Sequence, residues 1–176
     1  MPMRFSCLRQ GALCVAAMSA MLHAGQAQAQ AASQTGVAEV EILDQLTLVE
    51  VSGLDFGAII PSNVAGNINI ARNSGTCTAQ GGVTLVGTNC QRGEFLITGP
   101  SGQQVRITLA AAPITLTHQS ATATMVMDRV RLNGGRNKRL NAAGSRTFFV
   151  SGRLQVGVNQ EPGIYDGIFD VTVEFR

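Results

Sequence analysis

The sequence has no tryptophan, aromatic residues make up 5% of it, and charged residues only 14%. Without tryptophan, it cannot build the core of antibody-type domains, in which an indole packs against the inter-sheet disulfide. No segment repeats apolar residues at the helical period, which argues against bundles and parallel α/β folds. Histidine is scarce: His23 and His118 are the two present. A single histidine outside the leader leaves common zinc sites and Ser-His-Asp arrangements without their parts. No apolar run reaches the roughly 20 residues a membrane-spanning helix needs. The formal net charge of +2 falls to zero once the two arginines of the leader are set aside, so nucleic acid is not the expected partner.

What is present begins with a leader. Arg4 and Arg9 precede the apolar core GALCVAAMSAML (Gly11 to Leu22), and AGQAQAQ then supplies small residues. This order reads as a signal peptide over residues 1–29, cleaved after Ala29, and predicts export, with the periplasm in transit and then the cell surface or the extracellular space as the destination. Neither Cys7 nor Cys14 sits in a lipid-attachment pattern. Thirteen basic residues less Arg4 and Arg9 leave eleven, against eleven acidic ones, so the mature chain is formally neutral. Low charge repulsion permits self-association. Of four cysteines, Cys77 and Cys90 remain. In an oxidising compartment they are expected to pair, closing a short loop at a gain of about 3 kcal/mol. No histidine lies near them to complete a metal site.

Residues 30–176 read as one all-β domain. Short alternating runs (VEILDQLTLVEV, LDFGAII, INIA, VTLV, EFLITG, QVRITLA, ITLTH, TMVMDRVRL, FFVSGRLQVGV) recur between breakers such as PSNVAGN, QGG, GPSGQ, NGGRN and NQEPG. That spacing predicts an antiparallel sandwich or barrel. The chain ends in GIYDGIFDVTVEF. Tyr165, Phe169, Val171, Val173 and Phe175 share one side of an extended strand with Gly167, and Asp166, Asp170, Thr172 and Glu174 share the other. Only Ile164 and Ile168 break the polar side.

The first run changes phase. Val40, Ile42, Leu46 and Leu48 share a parity that Asp44 interrupts; Val49 and Val51 switch parity, and Leu54 and Phe56 switch back. Each change moves side chains to the opposite face, as a bulge or a strand passing between sheets would require. Residues 30–45 are therefore read either as the lead-in to an ordinary first strand or as an extension that pairs with another molecule. Glu39, Glu41, Asp44, Glu50 and Asp55 lie in a stretch without a basic residue. Arg129, Arg131, Arg136, Lys138, Arg139, Arg146 and Arg153 lie where Asp128 is the only acid. Such asymmetry could steer contacts between copies, or reflect solvated faces; GGRNKR reads as a basic hairpin tip, with Lys138 in a turn.

Catalytic signals are missing. GPSGQ lacks the glycine spacing of a nucleophile elbow. Asp166 and Asp170 sit roughly 13 Å apart along an extended strand, too far for one metal ion or a retaining glycosidase pair. The expectation is a non-enzymatic protein with no metal and no cofactor.

In order along the chain, LTLVEVSGLDFGAIIP, FLITGPSGQQVRITL, SGRLQVGV and PGIYDGIFDVTVEF resemble the secreted bacterial family called domain of unknown function 4402. They are also similar to spore-coat-U-type and common-pilus-type subunits of the chaperone–usher kind. The resemblance covers about Leu46 to Phe175. It implies an Ig-like, pilin-like sandwich with its final strand missing and an acceptor groove floored by Tyr165, Phe169, Val171, Val173 and Phe175. A periplasmic chaperone would fill the groove first, an outer-membrane usher would take part in assembly, and the extension of another subunit would replace the chaperone. That subunit would be a copy of this chain or a related one. The candidate donor positions are Val40, Ile42, Leu46 and Leu48, although Asp44 would then face inward at a cost of several kcal/mol. The alternative is a self-contained sandwich that binds a surface ligand such as a glycan.

Overall fold

The computed structural model of the chain describes Val40, Ile42 and residues 45–176. The expected signal peptide (1–29) and most of the extension (30–45), Asp44 included, lie outside the described residues. The regular elements described are all strands: β1 (Thr47–Ser52), β2 (Ala58–Ile70), β3 (Cys77–Val86), β4 (Gly93–Thr98), β5 (Gln104–Leu109), β6 (Ile114–His118), β7 (Thr124–Leu132), β8 (Asn137–Arg139), β9 (Ser145–Val156), β10 (Tyr165–Asp166) and β11 (Val171–Phe175). All pairings are antiparallel. The larger sheet runs β1-β4-β9-β7-β6-β10, with β2 joined to β9 and β3 to β2; the smaller runs β11-β5-β8. The fold is a β-sandwich in which the larger sheet curls into a half-barrel.

The long strand β9 organises the core because its period-two pattern is nearly unbroken. Phe148, Val150, Leu154 and Val156 are buried on one face, while β4, β7 and β2 pair with successive parts of its length. Two apolar clusters form on the inner faces. One gathers Phe56, Ile68, Met125, Met127 and Leu154, the other Phe95, Ile97, Val105, Ile107 and Phe148. Fully burying each such side chain contributes about 1.5–3 kcal/mol. Phe95 stacks on Phe148 at 5.3 Å and meets Phe169 edge-on at 6.3 Å. Val130 and Phe169 pack against both clusters and join them. Cys77 and Cys90 are bonded and pack against the first cluster.

The register of β1 slips between Glu50 and Ser52, yet Val49 and Val51, read as a change of phase, are both exposed, and Val49 precedes the slip. Four further expectations are corrected. PSNVAGN and QGG, read as breakers, lie inside β2 and β3. Register slips there between Pro61 and Gly66, and a Cβ on Gly66 would collide with the Gln80 carbonyl and lie 2.7 Å from Val83. The glycines thus mark a close backbone approach at a bulge, not a turn. Lys138, expected in a turn, lies in β8, half-buried, with Nζ donating to the Asn133 carbonyl at 2.7 Å. Burial, then the charge of Arg146, lowers its pKa from the ordinary lysine value. The terminal ribbon, expected as one strand, is two. Asp166 pairs with Thr117 in the larger sheet and Val171 with Leu109 in the smaller, so Gly167–Asp170 carries the chain between sheets.

Candidate functional site

The C-terminal strands leave backbone groups unpaired. Ala110 N–H donates to the Asp170 carbonyl at 2.8 Å, and Arg176 N–H donates to Gln104 at 3.0 Å. Backbone direction alternates along a strand, so Asp170, Thr172, Glu174 and Arg176 face β5. Val171, Val173 and Phe175 then turn their N–H and C=O groups the other way, where no strand among the described residues pairs with them. The same reasoning applies to β1. Gly99 N–H donates to Gly144, so Ile97 and Phe95 bond β9 while Leu96 and Thr98 bond Val49 and Thr47. Leu48 and Glu50 are left with their backbone groups directed to an edge where no strand among the described residues pairs with them.

These two edges flank a cleft of about 310 Å³, lined by Leu48, Glu50 and Phe95 on one wall and Gly167–Val171 on the other. Leu46, Leu48, Val171 and Val173 are half-buried against the second core cluster, so its floor is apolar. A cleft of about 620 Å³ follows along the same two chain segments, between Leu54–Ile59 and Gly163–Asp166, over Leu116, Met125 and Leu154. Its flanks are also strand edges. β10 pairs only with β6, and the first residues of β2 pair only with β3 until Gly66 joins β9. Phe169 lines the first cleft and packs against both core clusters. Ile168 beside it is 92% exposed and Ile164 63%.

The acceptor positions read from the sequence fall along one wall of this seam: Tyr165 in the second cleft, Phe169 and Val171 in the first, and Val173 half-buried beyond Val171. Phe175 ends the strand at 38% exposed. Tyr165 is fixed there by an edge-on contact with His118 at 4.9 Å. Its hydroxyl donates to the Glu161 carbonyl at 2.7 Å and accepts from Gln160 at 2.8 Å. His118 closes the same corner: Nδ1 accepts the Ser120 N–H, which leaves Nε2–H to donate to the Pro162 carbonyl, both at 3.0 Å. The donor positions divide. Leu46 and Leu48 pack within this domain, Leu48 inside β1, whereas Val40 and Ile42 are exposed.

Sequence reasoning missed the opposite wall. Glu50, Phe95, Leu54, Phe56, Ile59 and Leu116 come from four separate segments, and alternation reports which side of a strand is apolar, not which strands become neighbours. It also missed a polar seam on the outer face of the larger sheet. There Arg153 forms an ion pair with Asp128, with Nε donating to Oδ1 at 2.9 Å, and Gln155 donates to the same carboxylate at 3.0 Å. Asn67, paired with Gln155, has a buried Oδ1 without a hydrogen-bond partner. Among the described residues no group of three His, Cys, Asp or Glu gathers to hold a metal ion. Among those residues, too, no helix is long and apolar enough to cross a membrane.

Residues 46–175 match the model of a family described as a domain of unknown function (DUF4402). No curated protein and no solved structure matches the chain.

Proposed function

The chain belongs to the DUF4402 family, and from that premise and the seam we propose a non-enzymatic, exported structural subunit of a bacterial surface fibre or coat. It is pilin-like in its working: a β-strand from another polypeptide lies in the seam and completes the sandwich. The observation that carries this reading is the pairing of an apolar floor with two facing strand edges whose backbone groups have no strand partner among the described residues. An added strand satisfies those groups and takes its register from the alternating pockets. A periplasmic chaperone fills the seam during transit and another subunit's extension replaces it. The Cys77–Cys90 bond fits an oxidising compartment outside the cytoplasm.

The test is to extract the protein from its native envelope without heating and to follow mass and amide exchange. Complexes that dissociate on heating are expected, with the Val171, Val173 and Phe175 amides protected before dissociation and exchanging freely afterwards. A lone, stable molecule with one of its own segments on that edge overturns the proposal.

A second reading, a self-contained sandwich that binds a surface glycan, draws on the outer polar seam, where amide, guanidinium and carboxylate groups lie side by side and Asn67 Oδ1 lacks a partner. Glycan binding by the monomer, lost in Asn67→Ala with the fold intact, would favour it.

A further inference from the structure

The seam's charge narrows what can occupy it, given the strand-acceptor reading on which this step rests. Glu50 and Asp170 line the first cleft, Asp55 and Asp166 the second, and among the described residues no lysine or arginine lines either. These acids lie on both walls of the seam: Glu50 and Asp55 on one, Asp166 and Asp170 on the other. Asp55 accepts the Gly57 N–H at 2.8 Å and Asp166 accepts from the Gln119 amide, so both have neutral partners. The ion pair found among the described residues, Arg153–Asp128, lies on the outer face of the larger sheet, away from this lining.

The chain's own upstream segment repeats that sign. Residues 30–45 hold Glu39, Glu41 and Asp44 and no basic residue. Laid into the seam of a second copy, it brings acids to an acidic lining, and like charges brought together at an interface oppose binding strongly. We infer that the occupant is a strand of a different polypeptide, apolar at alternate positions and carrying lysine or arginine near its middle, opposite Glu50 and Asp170. Apolar pockets in the two clefts supply affinity, and the central cation selects the partner and excludes self-pairing.

Two labelled peptides test this against the full chain: residues 36–48, GVAEVEILDQLTL, and the same peptide with Glu39→Lys, Glu41→Lys and Asp44→Lys. Fluorescence anisotropy gives affinity, and amide exchange at Val171 and Val173 reports occupation of the edge. The lysine peptide is expected to bind at least about tenfold tighter at low salt, the gap shrinking as salt screens it. A Glu50→Gln, Asp170→Asn double variant, checked for its fold by circular dichroism, is expected to lose most of that preference. If the unaltered peptide protects those amides and binds as tightly as its lysine version, the charge inference is wrong while strand acceptance stands. If neither peptide binds nor protects, both fall.

Discussion

Asp128 is held by the two functional side chains of one neighbouring strand. The hydrogen bonds from Arg153 lower its pKa most, from 3.8 to about 2, with Gln155 and the charges of Arg153 and Arg129 adding to this and burial opposing it. A carboxyl whose folded pKa is depressed contributes stability that is present above its unfolded value and lost as pH falls through the folded one. The pair is partly exposed, so solvent screening keeps its contribution small. Urea unfolding between neutral pH and pH 2 is therefore expected to show an acid-side decline that Asp128→Asn flattens; an unchanged slope would mean the pairing is idle. Gly163 makes a steric case at the same scale. Its φ of 151° and the His118 ring at the position a Cβ would take leave no room for a side chain. Gly163→Ala is expected to cost about 1–3 kcal/mol by displacing the ring from the Pro162 carbonyl, measured by thermal unfolding and by the His118 side-chain NMR shift.

At the scale of elements, β11 has two chemically different rows of amides. Those of Thr172, Glu174 and Arg176 serve β5, and those of Val171, Val173 and Phe175 face the open edge. Proline is tolerated where the lost N–H faced away from the ladder. Val173→Pro is accordingly expected to leave urea stability within about 1 kcal/mol of the parent and to weaken capture of an added strand. Glu174→Pro removes a bond to β5 and is expected to destabilise the fold by about 1–3 kcal/mol. If the two prolines cost the same stability, the edge is not free. Much at this scale was legible in the sequence. Alternation in the last run placed Phe169, Val171 and Val173 on one inner side, whereas Val49 and Val51, which suggested a change of phase, are exposed valines on the outer side. The split of that run was not legible, because Gly167–Asp170 keeps the same parity while changing sheets. The role of PSNVAGN was also hidden, since glycine at a turn and glycine at a close backbone approach look alike until the opposing strand is known.

At the scale of the whole molecule, the core is two clusters bridged by Val130 and Phe169, and the seam runs over the bridge. Pairwise proximity of the walls was beyond sequence reasoning, because Glu50 and Asp170 are brought together only by the closure of both sheets. A strand in that seam binds the folded chain and not the unfolded one, so global stability must rise with its concentration. The gain is about 2.7 kcal/mol at a hundredfold excess over Kd. The urea midpoint is expected to climb with added lysine-bearing strand peptide. Refolding without it is expected to scatter light increasingly as the chain is concentrated, because exposed Ile164 and Ile168 and the free edges then meet one another. Peptide added before refolding should suppress that scattering at the same ratio to chain at which the midpoint rises, since one site accounts for both. A chain that refolds cleanly at any concentration, with a midpoint indifferent to the peptide, has a seam that contributes nothing to its energetics, and the requirement for an outside strand disappears with it.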